Sequence, residues 1–337
     1  MAPSEAPATL MHAVVRERYG DLAKVVHHDR RPRPPVRPGE VVLEVHAAAL
    51  DRGALHLMAG RPYALRAAGF GLRRPKNPVL GREVSGVVHA VGADVTGFEV
   101  GDEVFGIAEG SLAEYAIASP SKLAPKPRTL DHSHAAALSI SAMTALQGVR
   151  DHGRIAEGQR ALITGASGGV GSYALQLVKA AGAHVTATAS TAKTSFVRSL
   201  GADEVVDYTV TDPTELGPFD VIIDIAGNHP IRHLRRALTR HGTAVIQGGE
   251  TDGRWLGGSD RQLRAVALAP FVPQHFRTFI CKENADDLRE LASLADSGSI
   301  RPLVDRCFEL DDASNALAHL AEGRATGKVV VLVRPSA

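Results

Sequence analysis

Cysteine is scarce in this sequence, which has only Cys281 and Cys307 among its 337 residues. Two cysteines do not make a disulfide framework, and they do not supply the ligands of a tetrahedral metal site. A chain with so few cysteines suits a reducing compartment.

An excess of charge and long apolar runs are missing as well. The chain has 38 Lys and Arg against 37 Asp and Glu, so neither nucleic acid nor an anionic membrane is predicted as its main partner. No apolar run reaches the length of a membrane helix, and residues 1–10 lack the basic start and apolar core of a signal peptide. We therefore expect a cytoplasmic protein in which residues 1–10 form a disordered extension.

The most informative stretch present is residues 161–171, ALITGASGGVG. A short apolar run leads into a glycine-rich turn, and residues 172–181 then have the apolar spacing of a helix. This order is the first half of a dinucleotide-binding βαβ unit, where a pyrophosphate approaches bare backbone at a helix N-terminus. The alternative is an ordinary tight turn, but the flanking strand and helix favour a nucleotide site. The predicted contact residues are Ala166, Ser167, Gly168, Gly169, Val170 and Gly171.

The sequence has two regions that differ in the spacing of their apolar runs. Residues 12–106 contain short apolar runs separated by glycine turns, which indicates a small β-barrel-like domain and includes a predicted strand at residues 24–26. From about residue 131 strands and helices alternate, as in a doubly wound parallel sheet, beginning with one predicted helix over residues 135–149. We expect the tail, with a strand at residues 328–333, to return to the first domain. The nucleotide domain would then be inserted into the β domain, leaving a cleft between the two.

Five motifs along the chain belong together: residues 80–88 (LGREVSGVV), 100–106 (VGDEVFG), 165–171, 200–203 (LGAD) and 327–330 (GKVV). With them the chain, from Met11 to Val333, resembles the zinc-independent medium-chain dehydrogenase/reductases of the NADPH quinone oxidoreductase type. The resemblance implies an α/β protein in which a GroES-like, β-barrel-type catalytic domain carries an inserted, doubly wound Rossmann domain. We place the catalytic domain at residues 11–133 and 284–337 and the Rossmann domain at residues 134–283.

The resemblance also implies a homodimer. In this superfamily the edge strand of the nucleotide domain pairs with that of its partner, and residues 277–281 are the apolar run available for it.

The residues that would meet the adenosine favour NADPH over NADH. An NAD site usually has an acid at the end of its second strand, to bind the ribose 2′-hydroxyl. Here that strand ends at Ser190 with Lys193 following, and a hydroxyl with an ammonium suits a 2′-phosphate. The resemblance implies the same pair, with Tyr208 near the adenosine. The alternative for Lys193 is a solvated residue, although a cation in the first turn of a helix opposes the helix dipole.

Further cofactor contacts follow from position. Thr144 corresponds to the threonine that faces the nicotinamide in the family. Ala226, Asn228, Gly248 and Gly249 follow apolar strands, at the edge of the sheet where cofactor and substrate meet. Lys328, in the last motif, completes the predicted cofactor residues.

Metal ligands are absent where zinc-dependent members of the superfamily have them. Asp51 and Arg82 stand at the positions of a catalytic Cys and His, and an arginine stays protonated and cannot ligate zinc. We therefore predict a metal-free protein. Without a Lewis acid the easier hydride acceptors are conjugated, because an enone gives a delocalised enolate and a quinone gives a stabilised hydroquinone anion. This favours NADPH-dependent reduction of a quinone or an α,β-unsaturated carbonyl.

Asp51, Tyr63 and Arg82 are the predicted catalytic residues. Asp51 and Arg82 are expected to form an ion pair that orients the substrate or the nicotinamide ribose; alternatively, Asp51 caps a turn and Arg82 points to solvent. Tyr63 lies close to where related enoyl reductases keep a proton-donating tyrosine, and the alternative is packing in the cleft wall. Residues 61–77 carry several cations and form either a lid for an acidic thioester or a solvated loop, of which we favour the loop.

Three functions remain open at this point. The leading one is reduction of a quinone or enone, a small-molecule substrate. The second is an enoyl-thioester reductase of lipid or polyketide assembly, and the third is an NADPH-binding protein without turnover.

Overall fold

The computed structural model describes residues 9–61, 63, 66, 70–226, 229–248 and 259–334. The strands are β1 (Leu10–Val15), β2 (His27–Pro32), β3 (Val41–Leu50), β4 (Glu83–Val91), β5 (Glu103–Ile107), β6 (Tyr115–Ala118), β7 (Leu123–Pro125), β8 (Arg160–Thr164), β9 (His184–Ala189), β10 (Glu204–Asp207), β11 (Phe219–Asp224), β12 (Leu238–Ile246), β13 (His275–Arg277), β14 (Val304–Glu309) and β15 (Lys328–Leu332). The α-helices are α1 (Leu22–Val25), α2 (Arg52–Ala59), α3 (His132–Ala137), α4 (Ile140–Gln147), α5 (Gly169–Ala180), α6 (Thr194–Ser199), α7 (Ile231–Ala237), α8 (Ser259–Leu268), α9 (Ala285–Asp296) and α10 (Ala313–Ala321).

The first part of the chain, together with its tail, builds a seven-stranded sheet in the order β14-β15-β3-β4-β5-β7, with β6 also paired to β3. Strand β3 is its centre, because a run of valine and alanine gives it apolar side chains on both faces. Strand β15 pairs antiparallel with β3, so the tail returns to the first domain as predicted. Strands β1 and β2 form a separate antiparallel pair.

The second half builds a six-stranded sheet in the order β10-β9-β8-β11-β12-β13, and every pairing in it is parallel. This is the strand order of a doubly wound dinucleotide-binding sheet, with its switch point between β8 and β11. The predicted GroES-like and Rossmann architecture is therefore confirmed. The residue limits that we placed on the two domains stay a prediction.

Several local predictions were wrong. Residues 24–26 were predicted as a strand because valine favours strands, but Val25 ends helix α1 and is buried in a core that includes Ala313 and Leu317 of α10. Strand β1 begins at Leu10 and so reaches into the expected disordered extension, of which residues 1–8 lie outside the described residues.

The predicted helix over residues 135–149 is two helices. Asp131 caps α3 by accepting a hydrogen bond from the His134 N–H. A new helix, α4, begins at Ile140, whose N–H donates to the carboxylate of Glu83. That carboxylate comes from strand β4, so a tertiary contact decides where the second helix begins.

Strand β13 is shorter than the predicted dimer strand. It ends at Arg277, and the next residues leave the sheet. Phe279 instead stacks on the ring of His152 at a centroid distance of 4.1 Å. Tertiary packing thus replaces strand pairing over most of residues 277–281.

Helix α9 joins the two halves of the molecule. Its residues Leu288 and Leu291 lie in one core with Phe105 of the first sheet and Tyr173 of α5. Helix α5 and the seven-stranded sheet therefore share a continuous apolar core.

Candidate active site

The glycine-rich turn lies between β8 and α5, at the carboxyl end of the parallel sheet. Gly165 has φ of +69°, and a Cβ there would lie 2.5 Å from the Cβ of Ala226. A Cβ on Gly171 would lie 2.1 Å from the carbonyl oxygen of Gly165. Two of the glycines are therefore required by the close approach of β8, β11 and α5.

Gly168 has a different role, because it is the residue before the first turn of α5 and provides no side-chain cap. A Cβ there would meet only the carbonyl oxygen of Gly165, at 3.6 Å. The N–H groups of Val170 and Gly171, in the first turn of α5, have no partner within an α-helix. Gly169 differs from them, because the parallel bridge between Gly168 and Gly327 directs its N–H to the carbonyl oxygen of Gly327. The structure thus has an open helix N-terminus that fits a pyrophosphate.

The turn is also bonded to the tail of the chain. The carbonyl oxygen of Ser167 accepts a hydrogen bond of 3.0 Å from the N–H of Gly327. Ala166, next to it, is fully buried and donates its N–H to Thr188. Hydrogen bonds to the tail and to strand β9 therefore fix the position of this turn.

Lys328, predicted to bind the cofactor, forms a buried salt bridge beside this turn. Its Nζ lies 2.5 Å from Oε1 of Glu83 and 3.1 Å from Oγ of Ser141. Both charged residues are 1 % exposed. Burial raises the pKa of Glu83 to about 7, against the lowering influence of the Lys328 ammonium. The Lys328 side chain lies against Gly169, and its charge is already matched by Glu83.

Ser190 and Lys193 follow strand β9 at the same edge of the sheet. The Lys193 ammonium donates to the carbonyl oxygen of Ala325 at 3.0 Å, and within the described chain no carboxylate forms an ion pair with it. Burial lowers the pKa of Lys193, with Asp305 acting in the opposite direction. The half-exposed ring of Tyr208 follows β10, and its N–H donates to Ala189, next to Ser190. The structure therefore brings these three predicted residues to one place.

Thr144, Ala226 and Gly248 lie at or near the carboxyl ends of the central strands. The Thr144 hydroxyl donates to Ile140 within α4, and its carbonyl accepts from Gln247. Gly248 follows β12 and lies close to the end of β11. A Cβ on Gly248 would lie 1.8 Å from the carbonyl oxygen of Ile225. The predicted contacts Asn228 and Gly249 lie outside the described residues.

The expected ion pair between Asp51 and Arg82 is wrong. Asp51 caps α2, where its Oδ1 accepts a hydrogen bond of 2.8 Å from the N–H of Ala54. Arg82 instead pairs with Glu283, at 2.6 Å, and the same carboxylate binds Lys122 at 2.7 Å. Glu283 was missed because it lies 201 residues from Arg82, and no local sequence signal connects the two.

Tyr63 lies beneath a cation. The guanidinium of Arg66 is 4.7 Å from the centre of the Tyr63 ring and 4.4 Å from that of Tyr19. The Tyr19 hydroxyl donates to the carbonyls of Phe70 and Gly71. This stack fixes the position of the Tyr63 ring.

A cavity of about 680 Å³ opens beside α2 and Arg82. Apolar side chains form part of its wall, among them Leu57, Phe70, Leu80 and Ile107. Its volume is that of a small-molecule site. Across the part of the chain that the structure describes, no group of three or more His, Cys, Asp or Glu residues is placed to hold a metal ion.

Two family models match the chain. Residues 37–128 match the alcohol dehydrogenase GroES-like domain, and residues 200–331 match the zinc-binding dehydrogenase domain. The two positions that replace zinc ligands, Asp51 and Arg82, both lie within the first of these domains.

Relatives align with almost the whole chain. The mitochondrial NAD(P)H oxidoreductase RTN4IP1 of Mus musculus is 33 % identical over 370 residues, which cover 99 % of this chain and 92 % of that protein. The 2-methylene-furan-3-one reductase of Solanum lycopersicum is 32 % identical, with coverage of 93 % and 76 %. The structure of the quinone oxidoreductase from Coxiella burnetii superimposes with a TM-score of 0.82 at 28 % identity, covering 97 % of this chain and 100 % of that one.

No helix within the described residues is both long and apolar enough to span a membrane. The prediction of a cytoplasmic protein is not tested by this finding, and the mouse relative is named as mitochondrial.

Proposed function

Because the chain belongs to the zinc-independent, quinone oxidoreductase-like medium-chain dehydrogenase/reductases, we propose that its nicotinamide cofactor is specifically NADPH. The protein is an oxidoreductase of the class that reduces quinones and α,β-unsaturated carbonyls. Its substrate is a small molecule.

The pair Ser190 and Lys193 carries the proposal for NADPH. Lys193 has backbone carbonyls as its hydrogen-bond partners, and these leave its positive charge available to a 2′-phosphate. The Ser190 side chain makes no hydrogen bond to any other described residue. The acid that would bind a ribose 2′-hydroxyl is missing from the end of β9, as the sequence already indicated.

The residues of the cradle fit a dinucleotide. The N-terminus of α5 would hold the pyrophosphate through the N–H groups of Val170 and Gly171, and Ser190 and Lys193 would bind the 2′-phosphate. When bound, the nicotinamide supplies a hydride. Arg82, fixed by Glu283 at the wall of the cavity, would stabilise negative charge that develops on the acceptor oxygen. Tyr63 would donate the proton that an enolate carbon needs.

Loss of NADPH absorbance, measured with 9,10-phenanthrenequinone and with an enone as acceptors, tests this function. We expect turnover with NADPH and a KM at least about tenfold higher for NADH, since one charge-assisted contact contributes roughly a factor of ten or more. Lys193→Ala should raise the KM for NADPH by about that factor and leave the KM for NADH unchanged.

Arg198→Ala is the matched control, because Arg198 is an exposed cation on helix α6, which begins directly after Lys193. Equal effects of K193A on both nucleotides would exclude Lys193 as the 2′-phosphate contact. Faster turnover of a crotonyl thioester than of any quinone or enone would favour an enoyl-thioester reductase. Binding of NADPH without turnover on any acceptor would mean a non-catalytic protein.

We also propose a homodimer and a cytoplasmic location. The dimer is supported by large apolar side chains exposed around strand β13, with Phe271 82 % and Ile280 95 % exposed. The location is supported by the two cysteines, which are not paired with each other.

A further inference from the structure

The cavity beside α2 is lined by more basic than acidic residues. Six of its lining residues are basic, and Glu109 is the acidic one. We propose that Arg16 forms an anion-binding subsite in this cavity, which receives a carboxylate, phosphate or sulfonate group attached to a conjugated acceptor. The inference rests on the proposed reductase function and names the substrate class more closely.

Arg16 is 6 % exposed and yet has no carboxylate partner among the described residues. Its Nη1 donates to the carbonyl of Leu57, and its Nε is buried without a hydrogen-bond partner. Tyr19 gives one further contact, with its ring centre 5.4 Å from the guanidinium. Burial lowers the pKa of Arg16, which reflects the cost of holding this charge away from water.

Other basic residues of the cavity differ from Arg16 in this respect. Arg31 forms salt bridges with Glu17 at 2.6 Å and with Asp29 at 2.9 Å. Arg82 and Lys122 share the carboxylate of Glu283. Arg16 therefore combines burial, a position on the cavity wall and an unmatched charge.

A buried charge without a partner is costly, and a bound anion offsets that cost by supplying the missing acceptor. The rest of the ligand should be apolar and planar, because Leu57, Phe70 and Leu80 line the same cavity. A quinone or enone with an anionic substituent combines both properties. A thioester whose carrier holds phosphate groups is a second source of the same chemistry.

Steady-state reduction of 1,4-naphthoquinone and of its 2-sulfonate tests the subsite. Arg16→Gln should lower kcat/KM for the sulfonate at least about tenfold and change kcat/KM for the neutral quinone less than about twofold. Arg31→Gln removes the same charge from the same cavity, but a paired one, and should change both values less than about twofold. Equal losses for the two quinones with R16Q would overturn the proposal.

Crotonyl-CoA and crotonyl-pantetheine distinguish the two sources of the anion. Selective loss with crotonyl-CoA places carrier phosphates at Arg16, whereas loss limited to the sulfonated quinone places there an anion on the acceptor itself.

Calorimetric titration with naphthalene-2-sulfonate separates this inference from the proposed function, because it needs no turnover. Wild type and R31Q should bind this probe, and R16Q should not; equal binding by all three contradicts the subsite. If R16Q does not fold, the melting temperature of the wild type decides. It should rise with naphthalene-2-sulfonate and not with 2-naphthalenemethanol, and an equal rise with both contradicts the subsite. Absence of turnover with any acceptor, despite probe binding that depends on Arg16, would count against the reductase function and leave the anion site in place.

Discussion

Single side chains in this site are positioned by partners far away in sequence. The carboxylate of Glu283 holds Arg82 and Lys122 together. Burial alone would raise the pKa of Glu283, but the hydrogen bonds and charges of these two cations outweigh it and lower that pKa. Arg82 thus has a fixed position at the cavity wall. Tyr63 is positioned by a different contact, in which the Arg66 guanidinium stacks on the rings of Tyr63 and Tyr19.

Replacement of Tyr63 by Phe separates proton donation from packing. Reduction of an enone requires a proton on carbon, whereas the oxygens of a reduced quinone can take protons from water. We therefore expect Tyr63→Phe to lower kcat for an enone by about a hundredfold, within the range of general acid catalysis, and to leave quinone reduction within about twofold. Steady-state kinetics with both acceptors provides the internal control. Unchanged enone turnover would show that Tyr63 only packs in the wall.

Sequence patterns predict residues of this site that are contiguous and miss those that meet through the fold. Gly168 and Lys193 could be proposed from the sequence because a turn and a strand end are local features. The partner of Arg82 was not predicted, since Glu283 lies 201 residues further along the chain. Arg16 has no sequence signal at all, because an unmatched charge can be recognised only when its surroundings are known.

At the scale of elements, the turn between β8 and α5 was predicted correctly because its glycine spacing reflects geometry. The division between α3 and α4 was not, because a run of alanine and leucine favours a continuous helix. Glu83, on strand β4, supplies the acceptor at which α4 begins. Tertiary contacts decide such boundaries where propensity is uniform.

Two glycines of the turn should respond differently to alanine. Gly171→Ala forces a Cβ against the carbonyl oxygen of Gly165 and should lower the free energy of unfolding by about 2 kcal/mol or more. Gly168→Ala places a Cβ in ordinary van der Waals contact with the carbonyl oxygen of Gly165, and Gly168 has φ of −86°, which alanine adopts readily. It should leave stability unchanged and raise the Kd for NADPH at least about tenfold, by occupying the place of the pyrophosphate.

Urea unfolding and a fluorescence titration with NADPH measure the two effects, and each variant is the control for the other. Tight NADPH binding by G168A would contradict the assignment of the cradle.

At the scale of the whole molecule, the alternation of short strands and then of strands with helices was sufficient to predict two domains with one inserted in the other. The insertion follows from the tail strand β15, which pairs with β3. The extent of the edge strand β13 was not predictable, because an apolar run such as residues 277–281 also serves side-chain packing. The exposed residues left beside β13 are where assembly is proposed.

Substitution of exposed apolar residues at this edge tests the homodimer. Phe271→Asp combined with Ile280→Asp should convert a dimer into a monomer in analytical ultracentrifugation, because burying two carboxylates at an interface is costly. Val210→Asp is the control, since Val210 is equally exposed, at 81 %, and follows strand β10 at the other edge of the sheet. A wild-type monomer, or a dimer that survives the double substitution, would exclude this interface.

Because the tail strand β15 pairs with β3, the first sheet cannot be completed until synthesis of the chain is almost finished. The parallel sheet is contiguous along the nascent chain and can close as soon as β13 has emerged, whereas β3 waits for β15. Glu83 likewise waits for Lys328, 245 residues later. The inserted domain can therefore close before the other is complete. Until β15 emerges, residues 47–50 of β3 are open to chaperones and to neighbouring chains, whereas residues 41–44 already pair with β6.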